Sequence, residues 1–137
     1  MSFHGQCHCG NLELIFETNL TAERLPVRAC SCPFCRKHGA FSTSDPNGKV
    51  KITVHDANLL IRYKFGLKTA DFLICKRCGV YLAAVMREGD NAYATVNIST
   101  FDSPRRFTQE AVTVSYDGES EAERRARRER NWTPVVS

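Results

Sequence analysis

The hydrophobic and polar positions of the chain predict a structure built mostly of β-strands. Seven short runs are continuously apolar or alternate between apolar and polar residues, and they are rich in Val, Ile, Phe and Tyr. These runs are residues 12–16, 50–54, 59–65, 71–74, 80–85, 92–98 and 112–116. Turn-forming sequences separate them, such as Gly89 with Asp90 between the fifth and sixth runs. We therefore predict stacked antiparallel sheets.

The C-terminal part of the chain has the one helical pattern. We predict a helix over residues 119–130, with Ser120 as its cap and Pro134 beyond its last turn. The arginines of this segment are interspersed with glutamates, which is typical of a solvent-exposed helix that carries side chains of both charges. Trp132 follows the helix, and we expect its side chain to pack back onto the sheets.

Length and composition are typical of a folded protein with one domain. The length of 137 residues suits a single domain over residues 1–137. The composition, with 42% hydrophobic and 25% charged residues, excludes disordered and collagen-like proteins. The longest apolar stretches, such as residues 80–86, are far shorter than the roughly 20 residues of a membrane-spanning helix. Residues 1–10 lack the basic and then apolar profile of a signal peptide. We expect a cytoplasmic protein with no membrane partner.

The charge balance gives little support for a polyanionic partner. The chain has 19 Lys and Arg residues against 15 Asp and Glu residues, a formal net charge of +4. Thiolates bound to metal ions would lower this charge, and the basic residues form no uninterrupted block. Nucleic acid is therefore not an expected partner.

The most informative residues of the sequence are its 7 cysteines, which form three tight clusters. The clusters are Cys7 with Cys9, Cys30 with Cys32 and Cys35, and Cys75 with Cys78. An odd number of clustered cysteines does not fit a disulfide framework, which usually spreads an even number along a secreted chain. Close-spaced thiolates suit tetrahedral zinc, which commonly takes ligand pairs from short turns. Zinc is therefore the expected cofactor.

Seven thiolates divide naturally into a closed set of four and an open set of three. A structural zinc ion is saturated by four protein ligands, whereas a catalytic one keeps a position for water or substrate. The simplest division joins the two pairs and keeps the triplet apart. The closed, structural site then consists of Cys7, Cys9, Cys75 and Cys78, and the open, catalytic site of Cys30, Cys32 and Cys35. We expect two zinc ions per chain.

Other uses of the cysteines are open at this point. Both metal sites are structural if His8 or His38 completes the triplet as a fourth ligand. A single four-cysteine site would leave three spare thiols, one of which could serve as a redox sensor. The C-P-F-C segment from Cys32 to Cys35 also has the form of a dithiol redox centre, but that motif normally opens a helix after a strand. The surrounding pattern predicts no such helix.

Five segments, spread over nearly the whole chain, share motifs with one known family. They are Gly5-Gln6-Cys7-His8-Cys9-Gly10, Cys30-Ser31-Cys32-Pro33-Phe34-Cys35-Arg36 with Gly39-Ala40, Cys75-Lys76-Arg77-Cys78-Gly79, Tyr116-Asp117-Gly118-Glu119 and Trp132-Thr133-Pro134. In this order they resemble the glutathione-dependent formaldehyde-activating enzyme family, which includes centromere protein V. The resemblance implies a β-tent of antiparallel sheets held by zinc. It also implies a structural zinc ion on the two cysteine pairs and a catalytic one on the triplet.

The resemblance further implies an activity, the condensation of formaldehyde with glutathione to S-hydroxymethylglutathione, which in reverse is a carbon–sulfur lyase reaction. A small-molecule thiol is then the expected substrate. Arg36, Lys37 and Arg77 are candidates for binding its carboxylates, and His38 is a candidate for proton transfer. The alternatives are a zinc-stabilised binding module and a thiol redox sensor. The oligomeric state is not predicted.

Overall fold

β-Strands form most of the regular structure in the computed structural model, which describes residues 1–137. The strands are β1 (Ser2–Gln6), β2 (Leu12–Glu17), β3 (Arg28–Cys30), β4 (Ser42–Thr43), β5 (Lys49–Val54), β6 (Leu60–Tyr63), β7 (Asp71–Cys75), β8 (Tyr81–Glu88), β9 (Asn91–Asn97), β10 (Val112–Val114) and β11 (Thr133–Val136). The two α-helices are α1 (Pro33–His38) and α2 (Glu121–Asn131). Strands account for 39% of the residues. The prediction of a mainly β fold with a short C-terminal helix is confirmed.

The strands join in one branched sheet of 11 strands. The main path runs β1-β2-β5-β11-β9-β4-β3-β10, and β8, β7 and β6 branch from β9. Neighbouring strands are antiparallel as predicted, except that β3 pairs with β10 and β5 pairs with β11 in parallel. In the first parallel pair Cys30 lies opposite Val114, so the C-terminal end of β10 reaches the cysteine triplet.

Four strands and one helix lie outside the predicted elements. The strands are β1, β3, β4 and β11, and two of them, β3 and β4, are too short for a hydrophobic period to show. α1 begins at Pro33, three residues after the end of β3, so the expectation that no helix follows a strand at the C-P-F-C segment is wrong. This helix contains 6 residues and none of them is buried. Its one large apolar side chain is that of Phe34, and a single position is too few to show a hydrophobic period.

Two apolar clusters fill the interior of the fold. In the larger one the rings of Phe3, Phe16 and Phe101 lie with their centroids 5.5 to 6.2 Å apart. The smaller one gathers Trp132, Met86 and other buried residues of the branched part of the sheet. The expectation that Trp132 packs back onto the sheet is confirmed.

α2 has the cap that its sequence predicts. The Oγ of Ser120 accepts a hydrogen bond from the backbone N–H of Glu123 at 3.1 Å, and the N–H of Ser120 donates to Oε1 of Glu123 at 3.0 Å. The helix is not solvated on every face as expected, because Arg128 is buried. No helix of the chain combines the length and the apolar character of a membrane span.

Candidate metal centres and an adjoining cavity

Two turns that are distant in sequence bring four cysteine sulfurs together as the four-sulfur cluster. Cys7 and Cys9 lie between β1 and β2, Cys75 ends β7, and Cys78 precedes β8. All four Sγ atoms lie within 4.8 Å of one another, and the Sγ of Cys9 is 3.8 Å from that of Cys7 and 3.5 Å from that of Cys75. Sulfurs around a tetrahedral zinc ion, with bonds of about 2.3 Å, would be about 3.8 Å apart. The four-sulfur cluster could therefore bind a metal ion with little movement.

Backbone amides point at the sulfurs of this cluster. The N–H of Leu12 donates to the Sγ of Cys7 at 3.3 Å, and the N–H of Cys78 donates to the Sγ of Cys75 at 3.5 Å. Gly79 closes the second turn with a left-handed backbone at φ 81°, which glycine adopts without strain. Since donated hydrogen bonds favour the ionised form of a thiol, these turns are suited to hold thiolates.

The thiols of the four-sulfur cluster differ in pKa. Burial raises the pKa of Cys7 to about 11. Burial acts on Cys78 in the same direction, but hydrogen bonds from the amides of Val80 and Cys9 and from neighbouring thiols lower its pKa to about 6. Because like charges repel at these distances, the four sulfurs ionise together only with a cation among them. The chemistry of the donor set therefore fits a divalent cation.

The end of β3 and the start of α1 present Cys30, Cys32 and Cys35 as the thiol triplet. Cys30 is the last residue of β3, Cys32 caps α1, and Cys35 lies in its first turn. The three Sγ atoms lie within 4.8 Å of one another, and the N–H of Cys35 donates to the Sγ of Cys32 at 3.4 Å. All three residues are partly exposed. A site with three donors, open to solvent, has room for a fourth ligand such as water or a substrate atom.

Hydrogen bonds within the thiol triplet separate the pKa values of its members. The pKa of Cys32 is lowered because the thiols of Cys30 and Cys35, and nearby backbone amides, donate to its sulfur. The pKa of Cys35 is raised, first by its hydrogen bonds to the other two thiols and then by burial. Without a cation, only one of the three thiols is therefore expected to be ionised. Ionisation of all three requires a bound cation.

The histidines near the clusters do not join the sulfurs. Neither His8 nor His38 brings a ring nitrogen within 4.8 Å of every sulfur of a cluster. His38 is the last residue of α1, and its ring centroid lies 4.4 Å from that of Phe34. This arrangement does not supply the histidine ligand that would complete the thiol triplet.

A cavity of about 70 Å³ adjoins the thiol triplet, with Cys30 and Cys35 in its wall. Trp132, the residue that follows α2, also lines this cavity. Three arginines line the same cavity, and we refer to them as the cavity arginines: Arg28, Arg127 and Arg128. The aromatic residues Phe72, Tyr81 and Tyr116 also contribute to the wall.

Proximity along the chain did not identify the arginines of this cavity. Arg36, Lys37 and Arg77, the basic residues nearest to the cysteines in our prediction, are exposed and do not line it. The sequence offers a signal for Arg128 alone: it precedes Trp132 by four residues, the spacing of neighbouring side chains on one side of a helix.

Fold and site together define a cysteine-rich β protein with two sulfur clusters that could bind metal ions. The chain belongs to the glutathione-dependent formaldehyde-activating enzyme family, whose model matches residues 2–116. A crystal structure of a Rhodobacter sphaeroides protein is similar to it, with a TM-score of 0.60, 28% sequence identity, and a match covering 81% of this chain and 99% of that one. No curated protein matches the chain. The resemblance seen in the sequence is confirmed, and it indicates a glutathione-related enzyme with a small-molecule substrate.

Proposed function

We propose that this chain is a zinc-dependent enzyme that forms and cleaves the carbon–sulfur bond of a thiol adduct, as in the condensation of formaldehyde with glutathione to S-hydroxymethylglutathione. The observation that carries the proposal is the thiol triplet, with three sulfur donors within 4.8 Å of one another, partly exposed and bordering a cavity. The family to which the chain belongs supports the choice of thiol and aldehyde.

The two sulfur clusters have different roles in this proposal. Cys7, Cys9, Cys75 and Cys78 offer a complete tetrahedral set and would hold a structural zinc ion. Cys30, Cys32 and Cys35 would hold a catalytic one, since three soft thiolate donors suit zinc and leave a position free. Bound there, zinc supplies Lewis-acid chemistry and keeps a substrate thiol ionised near neutral pH.

The reaction requires one proton to leave a sulfur and one to reach an oxygen. The substrate thiol loses its proton, the sulfur forms a bond to the carbonyl carbon, and an electron pair of the C=O bond moves to oxygen. That oxygen takes a proton and becomes the hydroxyl of the product. His38 is exposed three residues after Cys35 on α1, and it or water carries the proton.

Exchange NMR tests this proposal at equilibrium, where a fast uncatalysed reaction does not mask catalysis. The measurement follows ¹³C-labelled formaldehyde as it exchanges between its hydrate and S-hydroxymethylglutathione. The zinc-loaded protein should raise the exchange rate in proportion to its concentration. Cys32→Ser should abolish this increase, whereas Ser31→Ala, at the exposed residue beside it, should retain it. An unchanged exchange rate with folded, zinc-loaded wild-type protein would contradict the proposal.

A further inference from the structure

The cavity beside the thiol triplet is basic and has no acidic side chain in its wall. Its lining includes the three cavity arginines and no Asp or Glu. Arg127 is already neutralised, because its Nε lies 2.8 Å from Oε2 of Glu119 and its guanidinium stacks 3.4 Å from the ring centroid of Tyr116. Any positive charge left for a ligand is therefore that of Arg28 and Arg128.

Arg128 is a buried cation without a carboxylate partner. Its residue is 7% exposed, and none of the ion pairs of the chain includes it. Its Nη1 donates to Oγ1 of Thr69 at 2.7 Å, but its Nε is buried with no hydrogen-bond partner. Burial lowers the pKa of this guanidinium to about 10, with the neighbouring arginines acting in the same direction. A buried charge left in this state is costly, which indicates that an anion completes the site.

Arg28 provides the second guanidinium. It is half-buried on β3, and its one hydrogen bond to a side chain runs from Nη1 to Oγ of Ser44 at 2.9 Å. An arginine has five N–H donors, so most of the donors of Arg28 are not used by that bond.

We propose that this cavity binds a carboxylate through Arg28 and Arg128, and that the carboxylate belongs to the thiol substrate. Guanidinium groups match the planar geometry of a carboxylate and can bind both of its oxygens. The volume of about 70 Å³ exceeds the roughly 15 Å³ that a single water needs, so a carboxylate with its adjoining carbon fits. The second half of the proposal rests on the proposed function.

The position of the cavity defines the substrate class. Cys30 and Cys35 belong both to the thiol triplet and to the cavity wall. A substrate with its carboxylate in the cavity and its sulfur at the triplet would therefore have only a few covalent bonds between these two groups. The site would select thiols that carry a carboxylate over neutral thiols of the same length.

Trp132 reports directly on this cavity because it is the one tryptophan of the chain and lines the wall. Titrations at constant ionic strength would follow its fluorescence with acetate, acetamide, 3-mercaptopropionate and 3-mercaptopropionamide. We expect saturable changes with the two carboxylates, tighter binding of the mercaptocarboxylate than of acetate, and binding at least tenfold weaker for each amide.

Variants distinguish specific binding of acetate by Arg28 and Arg128 from a general effect of the positive charge of the protein. Arg128→Gln and Arg28→Gln should each weaken acetate binding at least tenfold, which corresponds to about 1.4 kcal/mol. Arg130→Gln, an exposed position on the same helix, should bind acetate as the wild type does. Circular dichroism identifies variants that do not fold. If Arg128→Gln does not fold, Arg28→Gln still tests the proposal, because Arg28 is only half-buried.

Two results would overturn the proposal. Equal responses to acetate and acetamide in the wild type would show that the arginines only balance the charge of the thiol triplet and bind no carboxylate. Acetate binding without any gain for 3-mercaptopropionate would overturn the link to the thiol substrate. Because the acetate titration involves no thiol chemistry, its failure is distinct from a failure of the exchange assay for the proposed function.

Discussion

The guanidinium of Arg128 lies over the ring of Trp132, with its Cζ 4.6 Å from the ring centroid. The backbone N–H of Trp132 also donates to the carbonyl oxygen of Arg128 at 2.7 Å, which closes the last turn of α2. The end of one helix thereby places a buried cation and a large aromatic ring side by side in the wall of the cavity. Their cation–π contact offsets part of the cost of burying the charge.

Removal of the Trp132 side chain should strongly destabilise the fold. Trp132 is 7% exposed and packs in the smaller apolar cluster, so Trp132→Ala should lower the free energy of unfolding by about 3–5 kcal/mol. Urea unfolding followed by circular dichroism measures this change. Val136→Ala, at a residue that is 41% exposed, is the control and should cost less than about 1 kcal/mol. Similar losses in the two variants would contradict the packing role of Trp132.

Substitutions in the two sulfur clusters should have different consequences. Cys78→Ser should lower the free energy of unfolding by about 4 kcal/mol or more, because a structural metal site contributes directly to folding. Cys32→Ser should have a much smaller effect on unfolding while abolishing catalysis of exchange. Thermal unfolding of both variants, each purified in the presence of zinc, makes the comparison. The opposite pattern, with Cys32→Ser unfolded and Cys78→Ser intact, would reverse the assignment of the two sites.

The ion pairs of Glu119 should make a contribution to stability that depends on pH. Its carboxylate lies 2.8 Å from Nε of Arg127 and 3.2 Å from Nε of Arg124, and its side chain is 18% exposed. These contacts lower the pKa of Glu119 below its ordinary value, and the hydrogen bond from Arg127 has the largest effect. Because the pKa of Glu119 is lower in the folded state than in the unfolded state, its ion pairs stabilise the fold at pH values above the unfolded-state pKa. This contribution is lost as the pH falls through the pKa of the folded state.

Glu119→Gln should therefore cost about 1–2 kcal/mol at pH 7 and progressively less below pH ~4. Urea unfolding of wild type and variant at both pH values measures the difference. Glu129→Gln, at an exposed glutamate of α2 that forms no ion pair, is the control. A loss that stays constant with pH would show that the carboxylate charge of Glu119 is not the cause.

The backbone at Gly79 should tolerate few other residues. A Cβ there would meet no atom within 4 Å, so the cost of Gly79→Ala comes from the positive φ alone and should be about 1–2 kcal/mol. Gly79→Asn should cost less, because asparagine adopts this conformation more readily. Chemical unfolding of the two variants gives the order of stability. An alanine variant as stable as the wild type would show that the turn does not require the left-handed backbone.

Much of the fold and the grouping of the cysteines into two clusters could be predicted from the sequence, because strands and close-spaced cysteines leave local patterns. Each of the seven predicted runs overlaps an observed strand, and the capping box at Ser120 is present. Elements that are short or polar left no pattern, as in β4 and α1. The cavity arginines were missed for a different reason. Arg128 is buried at the end of α2, and the chain after it pairs as β11 with β5 and β9, so its burial depends on tertiary contacts that a local pattern does not show.

The zinc content of freshly purified, reduced protein tests the central claim most directly. Elemental mass spectrometry should find two zinc ions per chain, one for the four-sulfur cluster and one for the thiol triplet. Cys32→Ser and Cys78→Ser should each lose zinc from their own cluster. One zinc ion per chain, unchanged after zinc is resupplied, would leave Cys30, Cys32 and Cys35 as free thiols and would contradict a zinc-dependent enzyme.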